Sequence, residues 1–139
     1  MLKLELLLNK YLNNFILLED ITKEKKIEYF NFNNIVTITD SNLVKVTSVN
    51  KVINFLKKKY NNNLIILDSV EPNFKMIETT SKKIINDKYD LAIALGGGSI
   101  LDIVKASSVY ENSIKSVDNY AGSKKRYSKK MMSTLAIPT

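Results

Sequence analysis

The sequence predicts an α/β fold, a parallel sheet with helices on both faces. Three observations carry this. β-branched or aliphatic runs recur at 34–39, 64–67, 89–95 and 134–137. Segments with a helical apolar period lie between them, and strands alternating with helices of this length build βαβ units. Three consecutive glycines, of only four in the chain, end one of the runs just before a helical pattern opens.

Residues 1–30 carry the weakest pattern. Leu2, Leu4, Leu6 and Leu8 alternate with Lys3, Glu5 and Leu7, which suggests a strand. Phe15–Leu18 suggests a second, and Asp20 or Thr22 can cap a short helix over Lys23–Tyr29. The first clear strand is Asn34–Thr39, closed by the turn and cap cluster Asp40-Ser41-Asn42. Val46, Val49, Val52, Ile53 and Leu56 then share one helix face. That helix ends in Lys57, Lys58 and Lys59, where cations suit the C-terminal dipole.

Asn61-Asn62-Asn63 reads as a turn before the strand Leu64–Leu67. Glu71-Pro72-Asn73 starts the next helix, with Met76, Ile77, Thr80, Ile84 and Ile85 inward. Tyr89–Leu95 is the third strand. A helix over Ser99–Tyr110 turns Ile100, Ile103, Val104 and Val109 inward, a polar loop follows, and Thr134–Ile137 is the fourth strand. Right-handed crossovers put the helices on both faces, and ligands then bind at the carboxyl ends of the strands. Asp40, Val70, Gly96 to Ser99 and Thr139 lie at such ends.

Composition narrows the chemistry. The 139 residues suffice for one domain with a real core. There is no Cys, so disulfides and thiolate metal sites are excluded, and no His, which removes the commonest general base and metal ligand. No apolar run is long enough to span a bilayer, and Met1–Leu8 is not a signal-peptide core, so a cytoplasmic protein without membrane contact is expected. Between 115 and 130, six basic residues face Asp118 alone, which accounts for five of the seven net positive charges. Such a loop is either solvated or meets phosphate or nucleic acid.

Gly96-Gly97-Gly98-Ser99 has two readings. One is a tight strand-to-helix turn. The other is a phosphate cradle, in which glycines let diphosphate oxygens reach backbone amides at a helix N-terminus and the Ser99 hydroxyl caps or donates. The spacing is not Gly-x-Gly-x-x-Gly, and no Gly-Lys-Ser/Thr follows, so neither the plain Rossmann fingerprint nor the P-loop fits. Asp40 likewise has two readings: an acceptor for adenosine ribose hydroxyls, where a 2′-phosphate would meet like charge, or a helix N-cap.

These residues resemble a known family. Leu91–Lys105, "LAIALGGGSILDIVK", resembles the Gly-Gly-Gly-Ser-x-x-Asp-x-x-Lys signature of the iron-containing (group III) alcohol dehydrogenases. "IVTITDSNL" (35–43) is similar to that family's first nucleotide-binding strand, and Glu71-Pro72-Asn73 to its Pro-Asn-Pro turn, with Phe74 in place of the second Pro. "DNYAG" (118–122) resembles its Asp-Tyr-x-Gly stretch, and "TLAIPT" (134–139) the beginning of "AIPTTAGTGSE". The resemblance covers about 34–139; residues 1–30 lack the family's Phe-Gly-x-Gly segment. Dehydroquinate synthase and glycerol dehydrogenase groups share the glycines, while Ser99 and the "AIPT" stretch favour the alcohol dehydrogenases.

The resemblance implies that 1–139 is a Rossmann-like NAD(P)-binding domain with a divergent segment at 1–30. It implies cofactor binding by Asp40, Gly96, Gly97, Gly98, Ser99, Asp102 and Thr139. Gly97, Gly98 and Ser99 would hold the pyrophosphate, Asp40 would favour NAD over NADP, and Thr139 would lie on the adenosine side. Asp102 would face the cofactor, or else pair with Lys105 on the surface. The implied reaction is hydride transfer between NAD(H) and a small alcohol or aldehyde. The family's iron or zinc is held by one Asp and three His of a later helical half, so no metal site and no independent activity are expected here. The partners implied are a homodimer or a helical half that carries the metal. The rival expectations are a non-catalytic module that binds through the basic loop, and a piece of a related polyol dehydrogenase or sugar-phosphate lyase.

Overall fold

The computed structural model describes residues 32–68, 71–109 and 132–139. The readings of residues 1–30, of Val70, of 118–122 and of the basic loop lie outside these. Four strands are described: β1 Asn34–Asp40, β2 Asn61–Leu67, β3 Leu91–Gly96 and β4 Ser133–Pro138. A 3-10 turn, Leu43–Lys45, precedes helix α1 (Thr47–Lys59); α2 is Phe74–Asn86 and α3 is Gly98–Ser107. All strand pairs are parallel, in the order β2-β1-β3-β4. The predicted α/β parallel sheet is the one observed.

Each face of the sheet has its own core. Val49, Val52, Ile53 and Leu56 of α1 pack on Ile35, Leu91, Ile93, Leu95, Leu135 and Ile137. On the other face Ile84 of α2 and Ile100 and Val104 of α3 pack on Val36, Ile38, Ile65, Ala92 and Ala94. Strand side chains alternate between faces, so β1 serves both cores in turn. β1 and β3 are buried on both sides and therefore read as near-continuous apolar runs. Each fully buried Ile or Leu contributes about 1.5–3 kcal/mol of transfer free energy.

The structure departs from the sequence reading in places. Val46 is not on the buried face of α1; it is the N-cap residue and 43% exposed. On α2 the buried residues are Thr80, Ser81 and Ile84, while Met76, Ile77 and Ile85 are half-buried. Ser81 was missed because a small polar residue gives no periodic signal. α2 starts at Phe74, where the Asn73 side chain accepts from the Met76 amide at 2.9 Å and so caps one orphan donor.

Asn61-Asn62-Asn63 is a correction of a larger kind. These residues are the first three of β2, paired with Asn34, Ile35 and Val36. Asparagine favours turns because its side chain bonds its own backbone. Here each side chain has a partner elsewhere, although Asn62 Nδ2 is buried without one. Asn61 donates to Asn34 Oδ1 (3.1 Å), Asn62 Oδ1 accepts from the Thr37 hydroxyl (2.9 Å), and Asn63 donates to the Tyr89 hydroxyl (2.8 Å). Tyr89 in turn donates to Asp87 at 3.2 Å, and burial pushes its phenol pKa up, so it stays a neutral donor.

One buried hydroxyl is left over. Thr39 Oγ1, on β1 beneath the α1 face, is fully buried and has no hydrogen-bond partner. A buried polar group without a partner costs about 1–3 kcal/mol. Thr39→Val keeps the shape and removes the hydroxyl, so we expect it to raise stability by about 1 kcal/mol. Urea unfolding of the two proteins checks this, and a lower midpoint for the variant would refute it.

Candidate functional site

The chain runs from β1 to β2 on one side and from β3 to β4 on the other. The strand order therefore switches direction between β1 and β3. In open α/β sheets the crevice at the carboxyl ends of the strands at such a switch is where ligands bind. Asp40 ends β1, and Gly96 ends β3. Ile38 pairs with Ala94, so two residues further on Asp40 stands beside Gly96. Thr139 is at the same end: its amide donates to the Gly96 carbonyl at 3.3 Å, extending the β3–β4 ladder.

The three glycines have different physical reasons. A Cβ on Gly96 would lie 3.0 Å from Ile100 Cγ1 and 3.1 Å from Leu43 Cδ1, so β3 packs tightly against α3 and the 3-10 turn there and a side chain would have to push these neighbours aside. A Cβ on Gly97 or on Gly98 would meet nothing within 4 Å, and neither residue has a positive φ; Gly97 is extended, with φ −75° and ψ −177°. Neither fold packing nor backbone conformation demands glycine at 97 or 98. We therefore expect Gly96→Ala to destabilise by about 1–3 kcal/mol through overpacking. A thermal melt equal to the parent's would contradict this.

Space beside Gly97 and Gly98 opens onto the start of α3. The N-cap is Gly97, which has no side chain to offer, so the first amides of α3 receive no side-chain cap. Gly97 and Gly98 are exposed and Ser99 is half-buried. The Ser99 hydroxyl makes no hydrogen bond with a described residue, so it does not cap the helix. Uncapped amides, a helix dipole and a hydroxyl at an accessible surface are the groups from which anion sites at helix N-termini are built.

Asp40 has a carboxylate with two uses. Its Oδ1 accepts from the amides of Asn42 (2.8 Å) and Leu43 (2.9 Å), which shapes the 3-10 turn. Its Oδ2 has no described partner. The capping and ligand readings are therefore compatible: one oxygen holds the turn and positions the other. Residue 40 is 6% exposed, so its carboxylate is largely shielded from solvent. Leu43, which sequence spacing did not single out, ties this turn to Gly96 across 53 residues of chain. No local pattern signals such a contact.

Asp102 is exposed on the second turn of α3 and makes no hydrogen bond or ion pair with another described residue, Lys105 included. Among the described residues no three His, Cys, Asp or Glu side chains form a metal-holding group, and no helix is long and apolar enough to cross a membrane.

Comparison with known proteins gives a consistent result. The family model for iron-containing alcohol dehydrogenase matches residues 18–139. The mitochondrial hydroxyacid-oxoacid transhydrogenase of Xenopus laevis is 32% identical over 99 residues, 68% of this chain and 21% of that protein. Long-chain-alcohol dehydrogenase 1 of Geobacillus thermodenitrificans is 32% identical over 109 residues, 76% of this chain and 27% of that protein. Thus the aligned part of this chain spans about a fifth to a quarter of the curated relatives it matches. Among solved structures, NAD+-bound sulfoacetaldehyde reductase from Bifidobacterium kashiwanohense superposes with a TM-score of 0.72 at 18% identity, covering 90% of this chain and 33% of that one. NADH-dependent butanol dehydrogenase A from Thermotoga maritima gives 0.70 at 20% identity, covering 91% and 33%. At these identities the superpositions speak for the fold alone.

Proposed function

Because this chain belongs to the iron-containing alcohol dehydrogenase family, we propose that residues 1–139 form the dinucleotide-binding domain of a hydride-transferring oxidoreductase. The observation that carries this is the pair Gly97 and Gly98: glycine is required there neither by packing nor by φ, and close approach of a ligand to the backbone would account for it. In this reading the α3 amides of Gly98 and Ser99 and the Ser99 hydroxyl hold the diphosphate. Asp40 Oδ2 accepts from the adenosine ribose hydroxyls, and its charge disfavours a 2′-phosphate, so NAD(H) is the cofactor rather than NADP(H). Gly96 serves by setting the turn, and Thr139 by bordering it. Asp102 lies one turn further along α3, facing the cofactor. The nicotinamide supplies the hydride chemistry, and these residues supply binding and orientation.

The substrate class we propose is a small alcohol or its aldehyde. The transhydrogenase relatives motivate a second reading, in which the hydride donor is a hydroxyacid and the acceptor an oxoacid. The described residues do not fit an iron or zinc centre. His and Cys are absent, and no three carboxylates converge among the described residues. We therefore place no metal-dependent step on them and propose that the chain alone binds cofactor without turnover. A partner helical half would supply what these residues lack, and a homodimer is the oligomer we propose. The compartment we propose is the cytoplasm, although the Xenopus relatives are named as mitochondrial.

The test is a fluorescence titration of the purified chain with NADH and, in parallel, NADPH. Saturable binding that favours NADH is expected. With ferrous iron or zinc added, no oxidation of ethanol, propanediol or lactaldehyde is expected. Metal-dependent turnover by this chain would overturn the claim of inactivity, and absence of binding by either nucleotide would overturn the claim of a working cofactor site.

A further inference from the structure

We infer that the outward face of α1 binds the phosphate backbone of a nucleic-acid duplex, independently of base sequence. This goes beyond the dinucleotide reading and does not rest on it. Helix α1 packs on one face of the sheet, and α3, which opens at the glycine turn, packs on the other.

The charge is unevenly placed. From Ser41 to Leu67 the chain carries five lysines (Lys45, Lys51, Lys57, Lys58 and Lys59) and no Asp or Glu. The other helices mix signs: α2 carries Glu78 beside Lys75, Lys82 and Lys83, and α3 carries Asp102 beside Lys105. All five lysines are exposed, and Lys45, Lys51, Lys57 and Lys58 make no ion pair with another described residue. Lysines at 57–59 suit the C-terminal dipole of α1, but that effect falls off within the last turn and gives no reason for Lys51.

Helix geometry turns these charges into a stripe. Thr47, Lys51, Asn54 and Lys58 recur at helical spacing, lie opposite the buried Val49, Val52, Ile53 and Leu56, and are all exposed. Lys51 and Lys58 are two turns apart, about 10.5 Å along the axis, and Lys57 flanks them. Lys, Asn and Thr are among the side chains that donate to phosphate oxygens, and such contacts carry no sequence information.

Charge and composition select the occupant. A bilayer surface needs an apolar helix face to insert, and that of α1 is committed to the sheet. Protein interfaces favour aromatic residues, Met and Arg over Lys, and the stripe holds none of the three. Unpaired bases need rings to stack on. The single aromatic residue of α1, Phe55, is half-buried and has the Lys59 ammonium 5.8 Å from its ring centroid. A duplex backbone asks for cations and donors without a repelling carboxylate, and this face presents them.

The experiment titrates a labelled DNA duplex of about 20 base pairs into the parent chain, at salt from about 50 to 200 mM. Three phosphates neutralised by Lys51, Lys57 and Lys58 give a log–log slope of about −2.7, so affinity should fall about fortyfold over that range. In the triple variant Lys51→Gln, Lys57→Gln, Lys58→Gln the affinity at the lowest salt should drop more than tenfold and the slope should approach zero. Glutamine is a good helix former and these positions are exposed, so the variant should melt with the parent. Its NADH titration should be unchanged, which keeps this test separate from that of the cofactor site. No duplex binding by the parent, or undiminished binding by the triple variant, would overturn the inference. The second result, with binding lost instead on Lys124→Gln, Lys125→Gln, Arg126→Gln, would move the contact to the basic loop. Polyglutamate or phosphatidylserine vesicles bound as tightly as the duplex would overturn the choice of nucleic acid.

Discussion

Gly98→Val is expected to abolish NADH binding while the chain melts at the parent's temperature or above it. The two halves of this result have separate causes. A Cβ at position 98 meets no protein atom within 4 Å, and the backbone there has no positive φ, so the fold tolerates a side chain. Residue 98 is the first of α3, where glycine is among the poorest helix formers, so valine gains a few tenths of a kcal/mol. The valine methyls, however, occupy the opening through which an anion reaches the α3 amides. Loss of two hydrogen bonds to a charged oxygen removes about 3–6 kcal/mol, or more than a hundredfold in affinity. A titration and a melt on one preparation read both effects. Gly96→Ala is the contrasting control, because its cost falls on the fold.

If Gly98→Val bound NADH as the parent does, the glycine turn would be structural. The interaction-module reading of the basic loop would then take precedence. Its signature is steeply salt-dependent nucleic-acid binding that is lost on neutralising Lys124, Lys125 and Arg126.

Asp40→Asn is expected to shift cofactor preference toward NADPH by about tenfold with little change in stability. Asparagine keeps the acceptor oxygen that holds the Asn42 and Leu43 amides, so the 3-10 turn survives. The charge is lost. A 2′-phosphate of about two negative charges at roughly 5 Å from a carboxylate is repelled by about 1–2 kcal/mol even at the dielectric of water, which sets the size of the shift. Asp40→Ala separates the roles differently. It removes the charge and also both hydrogen bonds to the turn, costing about 1–2 kcal/mol of stability as a lost cap does. Parallel NADH and NADPH titrations of the three proteins, with urea unfolding, check the division. An unchanged nucleotide preference in Asp40→Asn would leave Asp40 with the cap role alone.

Much of the fold was legible because its signals are local. The β-branched run at 34–39 and the apolar spacing of Val49, Val52, Ile53 and Leu56 each arise within a few residues, and they placed β1 and α1 nearly as observed. The candidate site was legible for a similar reason: strand, glycines and helix start are contiguous, and Asp40 adjoins its own strand. The exceptions were decided by partners far away in sequence. Asn61-Asn62-Asn63 carry the composition of a turn and form a strand, because Asn34, Thr37 and Tyr89 supply hydrogen-bond partners 25 to 27 residues distant.

The sequence by itself pointed to the alternation of strands and helices from residue 34 onward, to the parallel α/β class and to candidate residues for meeting an anion. Only the tertiary structure decided the strand order β2-β1-β3-β4, and with it that Asp40 and the glycine turn flank one switch point. It also decided that Gly96 answers to Ile100 and Leu43 while Gly97 and Gly98 answer to nothing in the described protein. The physical reason is that periodicity and turn chemistry are properties of neighbouring residues. Pairing and close packing depend on which distant atoms fill the space around each one.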